Sequence, residues 1–223
     1  MITYEQTVAP VRETGRVPRL LTALLMPIGP AAVALIRFVI PPEPVGPSAA
    51  ANPGAVDLVQ WFGLIAAFTL LPGAYAAVGL ARRYRPRLAI AVALTLIPGY
   101  LGMTALGGSD SVVAAGTKLG LPPDQVTLLS NAINELPSVS VMVLIFVFGH
   151  IAGIFLLGLL TVLARLVPLV VGIGLAVSQL IHLTAVIIAN PWLDLIGWGL
   201  TAVGFAFLGV RLVRDGQVSA EGR

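Results

Sequence analysis

Cysteine is absent from this chain of 223 residues, and charge is scarce: Lys, Arg, Asp and Glu make up 10% of it, against about 25% in an ordinary soluble domain. The first absence excludes disulfides, thiolate nucleophiles and cysteine-ligated zinc or iron–sulfur centres, and leaves the redox compartment open. The second excludes a water-soluble fold, because hydrophobic residues reach 57% and the long uncharged stretches leave nothing from which to build a polar coat. Also missing, at useful spacing, are a Ser-His-Asp order, an HExxH pair, a Walker loop and a GxGxxG turn. The net charge of +3 does not point to nucleic acid, since the basic residues lie in short clusters between apolar runs with no polar, aromatic-rich domain around them. No cleavable leader is expected: the basic start at Arg12, Arg16 and Arg19 precedes a run too long for a signal-peptide core and without a small-residue cleavage site.

What the chain does have is apolar runs of membrane-spanning length. A helix crossing the hydrocarbon core needs about 20 mainly apolar residues. Six runs meet that requirement, at about 20–40, 56–80, 88–106, 139–164, 168–189 and 192–213. The expected fold is all-α: one membrane domain of six helices over 20–213, an N-terminal segment 1–19 and a tail 214–223. The second and third runs are joined by the basic turn Arg82-Arg83-Tyr84-Arg85-Pro86-Arg87, and the last two connections are very tight. These runs are therefore expected to be sequential antiparallel neighbours.

Arginine and lysine stay on the cytoplasmic side of membrane proteins. Under a six-helix alternation, Arg12, Arg16, Arg19, the arginines of the 82–87 turn, Arg165, Arg211, Arg214 and Arg223 fall on one side, and only Arg37 and Lys118 on the other. Both termini are therefore expected in the cytoplasm. The outer side receives Glu43, Asp57, Asp110, Asp124, Glu135 and Asp194, with Trp61 and Trp192 near its boundary as aromatic anchors.

Two outer connections are long. The stretch from Pro41 to Ala55 is rich in proline and small residues and reads as a stiff, irregular loop. The stretch 107–138 contains a helix start at Pro123-Asp124 and apolar residues Val126, Leu129, Ile133 and Leu136 at helical spacing. It is expected to form a short amphipathic helix over 123–136, which either rests at the lipid interface or lids an outward cavity. A small echo, Thr69-Leu70-Leu71-Pro72-Gly73 and Thr95-Leu96-Ile97-Pro98-Gly99, places a proline–glycine pair at similar depth in two neighbouring runs. Each proline frees a carbonyl and bends its helix. The pairs serve either as nested kinks or as broken-helix sites of the kind transporters use.

Ionisable groups inside membrane helices are costly and point to function. Arg37 lies near the outer end of the first run, where it can snorkel to headgroups, pair with Glu43, Asp57 or Asp194, or bind an anionic group. The only histidines, His150 and His182, lie sixteen residues before and after Leu166. On antiparallel helices that spacing places both about 24 Å from the connecting turn. Gly149 and Gly153 flank His150 as a small-xxx-small pair, and Gly174, Ser178 and His182 form a stripe with Gln179 on its edge. Three readings of the histidines stay open. They are hydrogen-bonded within the bundle, to each other or to Ser178 or Gln179; or they ligate a haem b as a bis-histidine pair; or they form a metal or proton site with a carboxylate such as Glu135 or Asp194.

The stretch from Gly15 to Arg214 resembles a family of small multi-pass membrane proteins of high-GC, actinobacteria-like bacteria, a family without an established activity. The resemblance is carried by Gly29-Pro30 through Arg37, Pro72-Gly73, Pro98-Gly99-Tyr100, Gly149-His150, Ser178-Gln179 with His182, and Asp194 with Trp198-Gly199-Leu200-Thr201. It implies a bacterial plasma membrane and brings no catalytic residue. The function expected first is non-enzymatic: an outward-facing crevice that binds or passes a small apolar or amphipathic ligand, a lipid, or a partner helix. Arg37, His150, Ser178, Gln179 and His182 are its candidate ligand-binding residues, and Pro72, Gly73, Pro98, Gly99, Gly149 and Gly153 shape it. The alternatives are a haem-binding electron carrier and an intramembrane metal-dependent enzyme using the two histidines.

Overall fold

A computed structural model describes residues 15–221, with side chains through residue 215. The expected positions of residues 1–14, including Arg12, and of Arg223 lie outside the described residues. The chain runs α1 (Arg16–Leu25), α2 (Ile28–Val39), α3 (Val45–Ala51), α4 (Pro53–Arg82), α5 (Pro86–Gly102), α6 (Thr104–Lys118), α7 (Pro123–Asn134), α8 (Pro137–Leu163), α9 (Leu169–Ile187) and α10 (Pro191–Glu221). Proline sets much of this division, because α4, α5, α7, α8 and α10 each begin on one. At a first helical position its missing N–H costs nothing and its fixed φ suits the helix.

Among the described residues, six spans are long and apolar enough to cross a membrane: Arg16–Val39, Pro53–Arg82, Pro86–Lys118, Pro137–Leu163, Leu169–Ile187 and Pro191–Asp215. Their outward faces carry the apolar side chains, with Phe68, Leu94, Val170 and Ile187 each more than 70% exposed. In water such a surface would aggregate; in lipid it is the solvated face. The all-α, six-span architecture is thus the one the composition implies.

The spans form a closed ring. α2 packs on α4, α4 on α5, α5 on α8, α8 on α9 and α9 on α10, and α10 returns to α2. Leu70, Ala74, Leu96, Leu157, Trp198 and Phe205 fill its interior. α5 and α8 approach closely: a Cβ placed at Gly149 would stand 2.6 Å from the Gly99 Cα, and one at Gly153 2.7 Å from the Leu96 Cα. The small-residue pair beside His150 therefore faces α5 and lets two backbones meet. Pro72 and Pro98 lie inside α4 and α5, and Gly73 lies beside Met26 and Phe205.

Two expectations are corrected. The 41–55 stretch is not irregular, because it contains α3. Pro47 falls in that helix's first turn and Pro53 opens α4 with Asn52 as its cap, accepting from the Ala55 N–H at 3.2 Å, so the prolines start helices there instead of breaking one. The third span does not end at 106: after a break at Met103 it continues as α6 to Lys118. Gly107, Gly108 and Gly116 weaken helix propensity by about 1 kcal/mol each relative to alanine, but α6 is held by packing on α4 and α7. A Ser111 hydroxyl hydrogen bond to Gln60 at 3.0 Å and a Lys118–Asp57 ion pair at 2.9 Å fix it to α4. The expected short helix of the 107–138 stretch is α7, which buries Val126 and Ser130 and leaves Leu128, Leu129 and Leu136 exposed. That helix sets Val126 against Ala49 of α3 and Val113 of α6, while Gly46 N–H donates to Thr127 Oγ1 at 3.0 Å and the hydroxyls of Ser109 and Ser130 stand 3.3 Å apart. At the termini, α1 begins before residue 20 and α10 extends past residue 213.

The tight turns have a common chemistry. After α8, Leu166 N–H bonds Thr161 O and Arg165 N–H bonds Val162 O, with Arg165 at φ 52°. After α9, Asn190 N–H bonds Ala185 O and Ala189 N–H bonds Val186 O, with Ala189 at φ 53°. Both are Schellman caps with a non-glycine residue in the left-handed position. Asn190 then caps α10, its Oδ1 accepting from Trp192 and Leu193 N–H at 3.0 and 3.1 Å.

Replacing Ala189 with glycine relieves this strain, so Ala189→Gly is expected to stabilise the protein by about 1 kcal/mol. Gly149→Val pushes α8 off α5 and is expected to cost about 1–3 kcal/mol or more. Reversible unfolding in mixed detergent micelles measures both.

Candidate functional site

Between the ring and the group formed by α3, α6 and α7 lies a cavity of about 510 Å³, walled by α2, α4, α5–α6, α8, α9 and α10. Apolar residues such as Val33, Leu64, Met103, Phe146, Ile151 and Leu183 make most of its surface. Its polar lining includes Arg37, Asp110, His150, His182, Asp194 and Trp198. Of these, the sequence singled out Arg37 and the two histidines as ligand-binding candidates, and named Asp194 as a partner for either.

The polar cluster is organised around Asp194. Asp194 sits in the first turn of α10, where a carboxylate meets the positive end of the helix dipole. Its side chain is 0% exposed. Arg37 Nε, in the last turn of α2, stands 2.9 Å from Oδ2 as an ion pair rather than an aligned hydrogen bond. On the other side, His182 Nδ1 lies 2.5 Å from Oδ1. Trp198, one turn along α10 and fully buried, directs its indole N–H at the same His182 nitrogen at 3.1 Å. That nitrogen has one valence in the ring plane, so carboxylate and indole compete for it: a proton on Nδ1 satisfies Asp194, and a bare Nδ1 satisfies Trp198.

His150 completes the group from α8. Its ring centroid is 5.5 Å from that of His182 and 5.8 Å from that of Trp198, with Phe146 stacked on it at 4.3 Å. Its Nδ1 is 2.5 Å from Phe146 O. A carbonyl only accepts, so Nδ1 carries the proton and Nε2 presents a lone pair. That Nε2 is buried without a partner, on a residue that is 1% exposed and lines the cavity. A sealed, unmatched acceptor costs free energy until a donor reaches it.

Ser178 and Gln179 are placed elsewhere. Gln179 Nε2 donates to Thr201 Oγ1 at 2.8 Å, Thr201 donates to Ser178 Oγ at 2.9 Å, and Ser178 donates to Leu175 O at 2.7 Å. This chain of bonds holds α9 against α10 in the bundle interior, apart from the residues that line the cavity. Asp194, Trp198 and Thr201 recur at helical spacing, which is the signal that Trp198 and Thr201 face the Ser178–His182 stripe of α9. Asp110 and Ser111 were not singled out as site residues because α6 read as loop.

The histidine pair does not offer a porphyrin site. A bis-histidine haem needs open space for the macrocycle between two imidazoles, and here Trp198 lies against both rings while Phe146 stacks on one. Among the described residues, no group of three or more His, Asp or Glu side chains is placed to hold a metal ion. Compared with protein families, curated proteins and solved structures, the chain matches none.

Removing one partner of a buried ion pair leaves an uncompensated charge and costs about 3–5 kcal/mol, whereas replacing both by apolar residues is close to neutral. Arg37→Met is therefore expected to destabilise strongly, and Arg37→Met with Asp194→Leu to regain most of the loss. Thermal unfolding of the single and double variants measures the coupling; simple additivity would contradict it.

Proposed function

We propose that this chain is a multi-pass protein of a bacterial plasma membrane that binds a small amphipathic molecule in the cavity between its ring and the α3–α6–α7 group. The single observation that carries the reading is the chemistry of that cavity. It has apolar walls, a volume of about 510 Å³ and a compact polar cluster containing a buried, unmatched histidine nitrogen. Sites for small ligands are of this kind: concave, mainly apolar, about 300–1,000 Å³, with a few fixed polar groups. Leu64, Thr104 and Gly107 on one rim and Leu183 and Val186 on another are exposed, which gives an apolar molecule entry from the lipid. Among the described residues no metal-ligand set accompanies the cavity, and the reading is of a binder or passage.

The cavity lies at the outer end of the bundle in this reading, with both termini in the cytoplasm. Support comes from the arginines. Arg82, Arg83, Arg85 and Arg87 cluster at the α4–α5 turn, and Arg211 joins them there, its Nη2 donating to Tyr84 Oη at 3.4 Å while Tyr84 donates to Asp215 at 3.2 Å. Arg37 and Lys118 lie apart from this cluster and pair with Asp194 and Asp57. The exposed leucines of α7 then rest at the outer lipid boundary.

Purified protein in nanodiscs is expected to bind the amphipathic fluorophore N-phenyl-1-naphthylamine saturably, above the signal of empty nanodiscs. Ala67→Trp, which fills the cavity wall, should abolish that component; its persistence, or its absence from the parent protein, would sink the reading. The orientation has its own test in intact cells. The cysteine-free chain carrying Gln125→Cys should react with a membrane-impermeant maleimide, and the chain carrying Arg85→Cys should react only after the membrane is opened.

A further inference from the structure

The charge lining the cavity does not cancel. Arg37 and Asp194 neutralise one another at 2.9 Å, and Lys118 is held by Asp57. Asp110, half-buried on α6, has no cation paired with it among the described residues. It is also the acidic group shared by two spaces, since it lines both the main cavity and an adjoining one of about 140 Å³. The smaller space is bounded by Glu43, Ser109, Ser130 and Asn134 and continues toward α3 and α7. An acidic route therefore leads from the α3–α7 end to Asp110. A carboxylate within an apolar span wants a counter-charge.

The second observation is independent of charge. His150 lines the same cavity, and its buried Nε2 has no hydrogen-bond partner among the described residues. It calls for an N–H or O–H donor, which a pure hydrocarbon or an anion without such a group does not supply.

Building on the binding reading above, we infer that the ligand is an amphipathic organic ammonium ion, an apolar body bearing a protonated amine. Its charge is met by Asp110 and its N–H is accepted by His150 Nε2, with the hydrocarbon against the apolar walls. Glu43, whose Oε2 accepts the Val45 N–H at 3.0 Å, adds negative charge beside the smaller space and draws cations toward it.

Four rigid probes of one shape separate the terms: 1-adamantylamine, its N,N,N-trimethyl derivative, 1-adamantanol and 1-adamantanecarboxylate. Each is titrated calorimetrically into the protein in phosphatidylcholine nanodiscs, with empty nanodiscs subtracted. The amine is expected to bind about tenfold or more tightly than the alcohol or the trimethylammonium probe. The isosteric Asp110→Asn should bring the amine to the affinity of the alcohol while leaving the alcohol unchanged. Equal affinity for amine and alcohol, or for amine and trimethylammonium, overturns the inference. Tightest binding of the carboxylate also overturns it, assigning the cavity to an anion at Arg37 and leaving the binding reading intact. No saturable binding of any probe overturns both.

Discussion

A carboxylate that is 0% exposed inside an apolar bundle has to be matched by charge and hydrogen bonds, and Asp194 is matched by residues from two other helices. Arg37 reaches it from α2 and His182 from α9, while Asp194 itself stands on α10. The same constraint that satisfies this one group brings the first and last spans together and closes the ring. It also sets the orientation of His182, and through Trp198 the surroundings of His150. In lipid there is no hydrophobic drive between helices, so such polar anchors and close backbone contacts decide which faces meet.

The cavity follows from how the remaining spans are held. Glycines at 99, 149 and 153 draw α5 and α8 into backbone contact, and α5 thereby follows the ring. Beyond Met103 the chain leaves that seam: α6 packs on α4 and α7 instead. The space between α6 and the α8–α9–α10 side remains unfilled, lined by what each helix happens to present there. Arg37, Asp110, His150, His182 and Asp194 all line it.

Much of this was legible in residue order. The uncharged runs determine the spans, and sixteen-residue spacing on either side of Leu166 puts His150 and His182 at one depth. Their rings are 5.5 Å apart. Asp194 was readable as one partner of three for Arg37, because a charged side chain in lipid seeks its opposite. Less legible was α6, whose glycines and serines resemble a loop until α4 and α7 are there to pack against it. The 41–55 stretch misleads for a related reason, since a proline that starts a helix and one that breaks it are the same letter in a string. The leucines of α7 show periodicity, but that helix turns Val126 and Ser130 to its neighbours instead.

By itself the scarcity of charge determined that this protein lives in lipid and how many times it can cross it, because hydrocarbon admits little but apolar helices whose backbone bonds are internally satisfied. The tertiary structure alone decided which polar side chains meet. Ser178 and Gln179 share a stripe with His182, yet one turn along α9 separates their partner Thr201 from the histidine's partner Asp194. Asp110 reaches the cavity only because α6 folds where the string promises a loop. Pairing depends on helix rotation and backbone approach, and both are settled by contacts between residues far apart in the chain.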